Sequence, residues 1–300
     1  MVSYLPIGYL SEYTAFDEVF LLVTVYITTF NRIALLKRAI ESVQNQTYPN
    51  IEIIVADDGS SDGTSEYLRE QESLGHLKAV INDSGASRGA CYGRNAAIFA
   101  AKGEFITGLD DDDYFETWRI QTFVDKWSEF EASNEPFAGL FDSIVEHRKY
   151  GVVKCYDTPQ VRYQELRRSN LIGNQVFTKT SFLREINGFD IEMPALQDWD
   201  TWLRLTEKFG VLHNCLSFSY VQIHDHGGVR ISEKPEEKVR FAFERLKSKL
   251  RPVSLKENLD LTYTMYGYSQ VRPILGEILL LLAGGQLRRV AQVFKRELLK

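Results

Sequence analysis

Only three cysteines occur in 300 residues, Cys91, Cys155 and Cys215, odd in number and far apart. That excludes a disulfide framework and a zinc cluster, and it suits a reducing cytoplasm. A long apolar run is also missing. The best stretch, Ile274 to Ala283, is interrupted by Gly276 and Glu277 and falls far short of the roughly 20 residues that a bilayer span requires. No transmembrane helix is therefore expected. Residues 1–19 lack the basic leader and apolar centre of a signal peptide, so the expected location is cytoplasmic. An excess of positive charge is absent too: the formal net charge is −6, which gives no general attraction to nucleic acid phosphates. Internal repeats and low-complexity linkers are not found either.

What remains is an ordinary globular composition, with 44% hydrophobic, 12% aromatic and 25% charged residues, enough for one large domain with an appendage. Phe20 to Thr28 is a continuous β-branched and aromatic run, as in a strand buried on both faces. Helical spacing follows over Asn31 to Asn45, then a second buried strand over Ile51 to Ala56. This is a βαβ unit with parallel strands. The alternation continues through a helix (Thr64 to Leu74), a strand (Leu77 to Asn82), a helix (Cys91 to Ala101) and a strand (Glu104 to Leu109). Beyond Asp113 it weakens into a helix (Trp118 to Ala132), a strand near Phe137 to Val145 and mixed segments expected to pack on the same sheet. From Lys234 onward the chain reads as helical. The expected class is α/β with a mostly parallel sheet. The division is 1–19 as an extension, 20–113 as a nucleotide-binding half, 114–232 as an acceptor-binding half and 233–300 as a helical C-terminal region.

Ligands of parallel sheets bind beyond the carboxyl ends of the strands, so the residues after each strand come first. Three polar groups stand there: Thr28-Thr29-Phe30-Asn31-Arg32, Asp57-Asp58-Gly59-Ser60-Ser61-Asp62-Gly63, and Asp110 to Asp113. They should converge on one edge. Four consecutive aspartates repel one another, a cost relieved by a cation, and hard oxygen ligands favour Mg²⁺ or Mn²⁺. Extended geometry would put Asp110 and Asp112 on one side and Asp111 and Asp113 on the other. A solvated acidic turn accounts for the same run taken alone, and a capping turn for the second loop.

In their order, these segments resemble the family 2 glycosyltransferases of the GT-A fold. The resemblance rests on the strand ending at residues 28–32, Val55 to Thr64, Gly89 to Ile106, Leu109 to Asp113, and Asn187 to Asp190 followed by Gln197 to Leu205. With His224 it covers roughly residues 20 to 230, and the ordered set is far more specific than any one segment. It implies an inverting transferase that moves a sugar from a nucleotide diphosphate donor, UDP by family frequency, to a hydroxyl of a glycan or lipid-linked oligosaccharide, as in O-antigen or capsule assembly. Thr28, Phe30 and Arg32 would line the nucleotide pocket, with Asp57 accepting from the base, Asp58 beside it, and Arg94 near base and phosphates. Asp110 and Asp112 match the family's DxD element, with Asp112 the metal ligand, Asp110 nearer sugar or ribose and Asp111 between them.

Asp198 matches the general base, with Asp200 as fallback. By position alone it is a first-turn carboxylate stabilised by the helix dipole. Gln197 stands where many relatives carry Glu, which removes a neighbouring charge able to tune the base. His224, rather than His226, would complete the metal site, and Arg230 would contact the diphosphate from a mobile loop. The QxxRW element of processive relatives is absent. A nucleotidyltransferase and a non-catalytic sugar-nucleotide-binding module are the competing classes. Residues Pro273 to Lys300, apolar and basic, suit a helical cap or peripheral contact with anionic lipid; self-association stays open.

Overall fold

In the computed structural model, residues 20–298 are described apart from 134, 149–150, 156–157, 174, 224–234 and 251–252. Strand β1 (Val23–Thr29) lies at the centre of a five-stranded sheet, between β2 (Ile51–Asp57) and β4 (Phe105–Asp110), and runs parallel to both. Beyond β2 lies β3 (Lys78–Ile81), also parallel. The short β10 (Thr178–Lys179) pairs antiparallel with β4 and ends the order β10-β4-β1-β2-β3.

The continuous apolar run in β1 follows from this central place, because helices cover both of its faces. Alternation sends Val23, Val25 and Ile27 into one apolar cluster with Leu36, Ala39, Ile40 and Val43 of α1 (Ile33–Gln44). Tyr26 points into the other cluster, with Ala97 and Ile98 of α3 (Ala90–Ala100). Helix α2 (Thr64–Ser73) joins β2 to β3.

The second half departs from the sequence expectation. The strand expected over Phe137 to Val145 is two strands: β6 (Phe137–Phe141) in a sheet ordered β6-β11-β9, and β7 (Ile144–Arg148) in a sheet ordered β5-β12-β7-β8. The break falls at Asp142 and Ser143. Asp142, 3% exposed, accepts from the backbone N–H groups of Ser143, Ser217, Phe218 and Ser219 and pairs with Arg119 Nη1 at 3.1 Å. A side chain with that many local donors replaces strand pairing at this point. Arg119 opens α4 (Arg119–Glu131) and lies over the rings of Phe115, Phe123 and Tyr220. These contacts tie β5 (Tyr114–Phe115) and β12 (Tyr220–Ile223) to α4. Among the described residues after Asp113, only β10 joins the main sheet.

Helices α5 (Tyr163–Leu166), α6 (Thr180–Glu185) and α7 (Gln197–Phe209) complete this half. The remaining strands are β8 (Gly151–Cys155), β9 (Gln160–Val161) and β11 (Val211–Asn214). Then come α8 (Glu236–Lys249), α9 (Leu255–Met265), α10 (Leu275–Ala283) and α11 (Leu287–Leu298). This last region is packed rather than loosely appended. Val239 and Phe243 of α8 share a cluster with Trp199 and Trp202 of α7, and the Trp199 and Phe243 rings meet edge to face at 5.9 Å. Asp200, at 1% exposure, pairs with Arg204 at 2.9 Å and with Lys249 of α8.

Candidate active site

The ends of three strands meet as the sequence order requires. In the sheet register Thr28 lies opposite Asp110, and Thr29 opposite Asp57. Beyond them a cavity of about 420 Å³ is lined by Thr28, Thr29, Phe30, Arg32, Asp58, Arg94, Asp110 to Asp113, Gln197 and Asp198, among others. Such a volume suits a small ligand. It lies where the carboxyl-end rule puts one.

The four aspartates form a turn rather than an extended segment, since Asp113 N–H donates to the Asp110 carbonyl at 3.0 Å. The two-sided pattern nevertheless holds: Asp111 and Asp113 are buried, while Asp110 and Asp112 are partly exposed. Arginines supply most of the neutralisation. Arg32 pairs with Asp111 and Asp112, each at 3.1 Å, and Arg94 with Asp110 at 3.1 Å. Burial pushes the Asp111 carboxyl up to about 7 although Arg32 pulls it down. Burial, then Asp110 and Asp112, raise Asp113, whose carboxylate accepts from the Tyr220 hydroxyl at 2.9 Å. Among the described residues no group of three or more His, Cys, Asp or Glu side chains forms a complete metal cage.

The second loop divides its two aspartates between tasks. Asp57, 2% exposed, does not line the cavity; it accepts from Ser60 N–H at 3.2 Å and from the hydroxyls of Ser60 and Ser65. It shapes the loop and lines an adjoining recess with Asp58, Asn82 and Tyr92. Asp58 lines the cavity and accepts from Asn82 at 3.0 Å and from the N–H groups of Arg88 and Gly89, each at 2.8 Å. Burial works against its charge, but these bonds and one from Ser87 hold its carboxyl below the usual range. Asn31, with φ of 52°, clasps the same loop: its backbone N–H donates to Ser60 Oγ and its side-chain Oδ1 accepts from Ser61 N–H at 2.7 Å.

Asp198 is a first-turn carboxylate of α7 and also lines the cavity. Leu196 precedes the helix with φ of 60°, a left-handed turn that costs a non-glycine residue about 1–3 kcal/mol. It starts α7 at the cavity wall. Burial raises the Asp198 pKa, against the Trp199 N–H, Arg94 and Asn170, whose Nδ2 donates to Oδ2 at 2.9 Å. Gln197 accepts from Arg94 at 3.4 Å and donates to the Met193 carbonyl at 3.1 Å. Arg94, 6% exposed, thus runs from Asp110 to the start of α7. Asp200 is no substitute base, because its ion pairs with Arg204 and Lys249 keep it away from the cavity. His224, His226 and Arg230 lie outside the described residues.

Sequence reasoning missed Asn170 and Gln175. Gln175 donates to Asp110 at 3.1 Å while accepting from the Tyr26 hydroxyl at 3.0 Å. Gly108 makes room for it, since a Cβ there would lie 2.1 Å from Gln175 Oε1. A glycine inside a strand otherwise made of large residues was the available signal.

The parallel sheet, with an aspartate turn and a helix-borne carboxylate at one cavity, has the GT-A fold. The glycosyl transferase family 2 profile matches residues 24–184, and the chain belongs to that family of glycosyltransferase enzymes. WcaA of Escherichia coli K12, named for colanic acid biosynthesis, is 31% identical over 219 residues, 72% of this chain and 77% of that protein. The Escherichia coli UDP-Glc:α-D-GlcNAc-diphosphoundecaprenol β-1,3-glucosyltransferase WfaP is 26% identical over 206 residues, 68% of this chain and 78% of its own. Staphylococcus aureus TarS 1–349 in complex with UDP-GlcNAc superposes with a TM-score of 0.64 at 17% identity, covering 90% of this chain and 82% of that one.

Proposed function

We propose that the chain is an inverting, non-processive glycosyltransferase that moves a sugar from a nucleotide diphosphate donor, with UDP as the expected nucleotide, to a hydroxyl of a glycan or lipid-linked oligosaccharide in surface polysaccharide assembly. The observation that carries this reading is that Asp110, Asp112 and Asp198 line one cavity at the strand ends. The relatives named for colanic acid and for a diphosphoundecaprenol acceptor support the substrate class. Catalysis is assigned to residues 20–232, with residues 233–300 as a helical region packed on them.

In this reading Thr28, Phe30 and Arg32 border the nucleotide, with Asp57 accepting from the base and Asp58 beside it, both facing the adjoining recess that Asn82, Arg88 and Tyr92 also line. Asp198 removes the proton from the acceptor hydroxyl as that oxygen attacks the anomeric carbon opposite the diphosphate. Asn170 and Arg94 keep the carboxylate aimed. Asp110 and Asp112 offer hard oxygen donors at the cavity, a set that fits Mn²⁺ or Mg²⁺, which bind through one or two carboxylates completed by phosphate oxygens. Bound there, the ion would neutralise charge on the departing nucleoside diphosphate. Asp112 is the proposed ligand, with His224 as a second, and Arg230 is a diphosphate contact.

The test incubates the protein with nucleotide sugars, Mn²⁺ and lipid-linked or oligosaccharide acceptors and follows nucleoside diphosphate release. We expect release that needs acceptor, stops with EDTA and returns with Mn²⁺ or Mg²⁺. Pyrophosphate release would indicate the nucleotidyltransferase class, and binding without turnover a non-catalytic module.

A further inference from the structure

Helices α10 and α11 carry more apolar surface than their packing uses. In α10, Ile278 and Leu281 are buried, whereas Leu275, Leu279 and Leu282 are 75%, 54% and 39% exposed. In α11, Val290 and Val293 are buried, whereas Leu287, Phe294 and Leu298 are 67%, 49% and 87% exposed. The exposed positions recur at intervals of four, three or seven residues, so each helix presents one apolar stripe. Both buried pairs belong to the same core cluster, which leaves the stripes turned away from it. Contiguous exposed apolar surface of this kind marks a contact site.

The charges beside the stripe indicate what it meets. Arg289 pairs with Asp260 at 2.6 Å, and Arg296 donates to the Gly267 carbonyl at 2.7 Å, so both are engaged by α9 and the turn after it. Arg288 and Lys295, seven residues apart, adjoin the α11 stripe, are exposed, and have no partner among the described residues. Glu297 falls on the opposite flank. Two cations bordering an apolar stripe, in a chain of net charge −6, form a local basic patch. A symmetric contact with a second copy would bring like charges together. No described helix is long and apolar enough to cross a membrane.

We infer that the α10–α11 hairpin lies on an anionic lipid surface, with Leu275, Leu279, Leu287 and Phe294 among the acyl chains and Arg288 and Lys295 at the headgroups. Placement on a bilayer would serve a lipid-linked acceptor, and in that respect it deepens the proposed function. Vesicle binding is read without any transfer reaction, so failure of one reading is distinguishable from failure of the other.

The experiment floats the full chain with phosphatidylcholine vesicles, with and without phosphatidylglycerol, and determines its association state by sedimentation. Phosphatidylglycerol should raise bound protein at least about tenfold, and added salt should reverse this. The R288E/K295E variant should lose that gain, and the L279S/F294S variant should bind neither vesicle, both keeping the wild-type unfolding temperature within a few degrees. Equal binding to both vesicles, no binding to either, or a dimer that these substitutions dissociate would overturn the inference.

Discussion

At the scale of single residues, the proposed chemistry turns on the protonation of Asp198. Burial raises its pKa while Asn170, Arg94 and the Trp199 N–H lower it. As a base it must be ionised, so transfer should rise with pH along a limb lying above the ordinary carboxylate value. Replacing Asn170 with Ala withdraws one lowering contact, and the limb should move to higher pH with donor affinity little changed. A pH–rate profile of kcat for both proteins checks this, and a limb that stays put would remove Asn170 from the positioning of the base. Asp110 and Asp112 were legible as site candidates because they follow a strand, and Asp198 through the family resemblance of the segment that opens its helix. Asn170 and Gln175 were not, because their partners lie 28 and 65 residues away and only the fold brings them together.

At the scale of elements, the parallel core was readable because β1, β2 and β4 are apolar on both faces and the connecting helices keep their own period. The later strands were less so. The run from Phe137 to Val145 reads as one strand only when its polar pair Asp142 and Ser143 is passed over, and local hydrogen bonding to Asp142 breaks it there. That carboxylate is also where the second half is most vulnerable. Asp142→Ala would leave the buried Arg119 guanidinium without its anion and four backbone N–H groups without an acceptor. Removing one partner of a buried pair costs about 3–5 kcal/mol, and we expect a loss of that size in urea unfolding. A loss below about 1 kcal/mol would mean that water replaces the carboxylate, with the pair contributing little.

At the scale of the whole molecule, the C-terminal helices are fastened to the catalytic half by carboxylates with depressed pKa values. Burial works against the charge on Asp190, yet Lys249 at 2.6 Å and Arg245 at 2.9 Å bring its carboxyl down to about 2. Glu257 is held at about 2 chiefly by its bond from Arg167. A folded pKa below the unfolded value contributes stability that is complete above about pH 4–4.5 and lost as pH falls toward 2. Amide exchange in α8 and α9 should therefore lose protection over that interval before exchange in β1 and β2. Simultaneous loss would show that these ion pairs do not set the attachment. A helical cap was legible in the sequence, but these ion pairs were not, because their partners lie 55 to 90 residues apart. The proposed mechanism joins both halves of the molecule, with a carboxylate on α7 acting on a donor held at the ends of β1, β2 and β4. Its most direct test is Asp198→Asn, with donor affinity and single-turnover transfer measured on the same preparation. The account predicts donor affinity within about twofold of wild type and transfer slower by about 10²–10⁴-fold, the usual contribution of a general base. Transfer at the wild-type rate would contradict it.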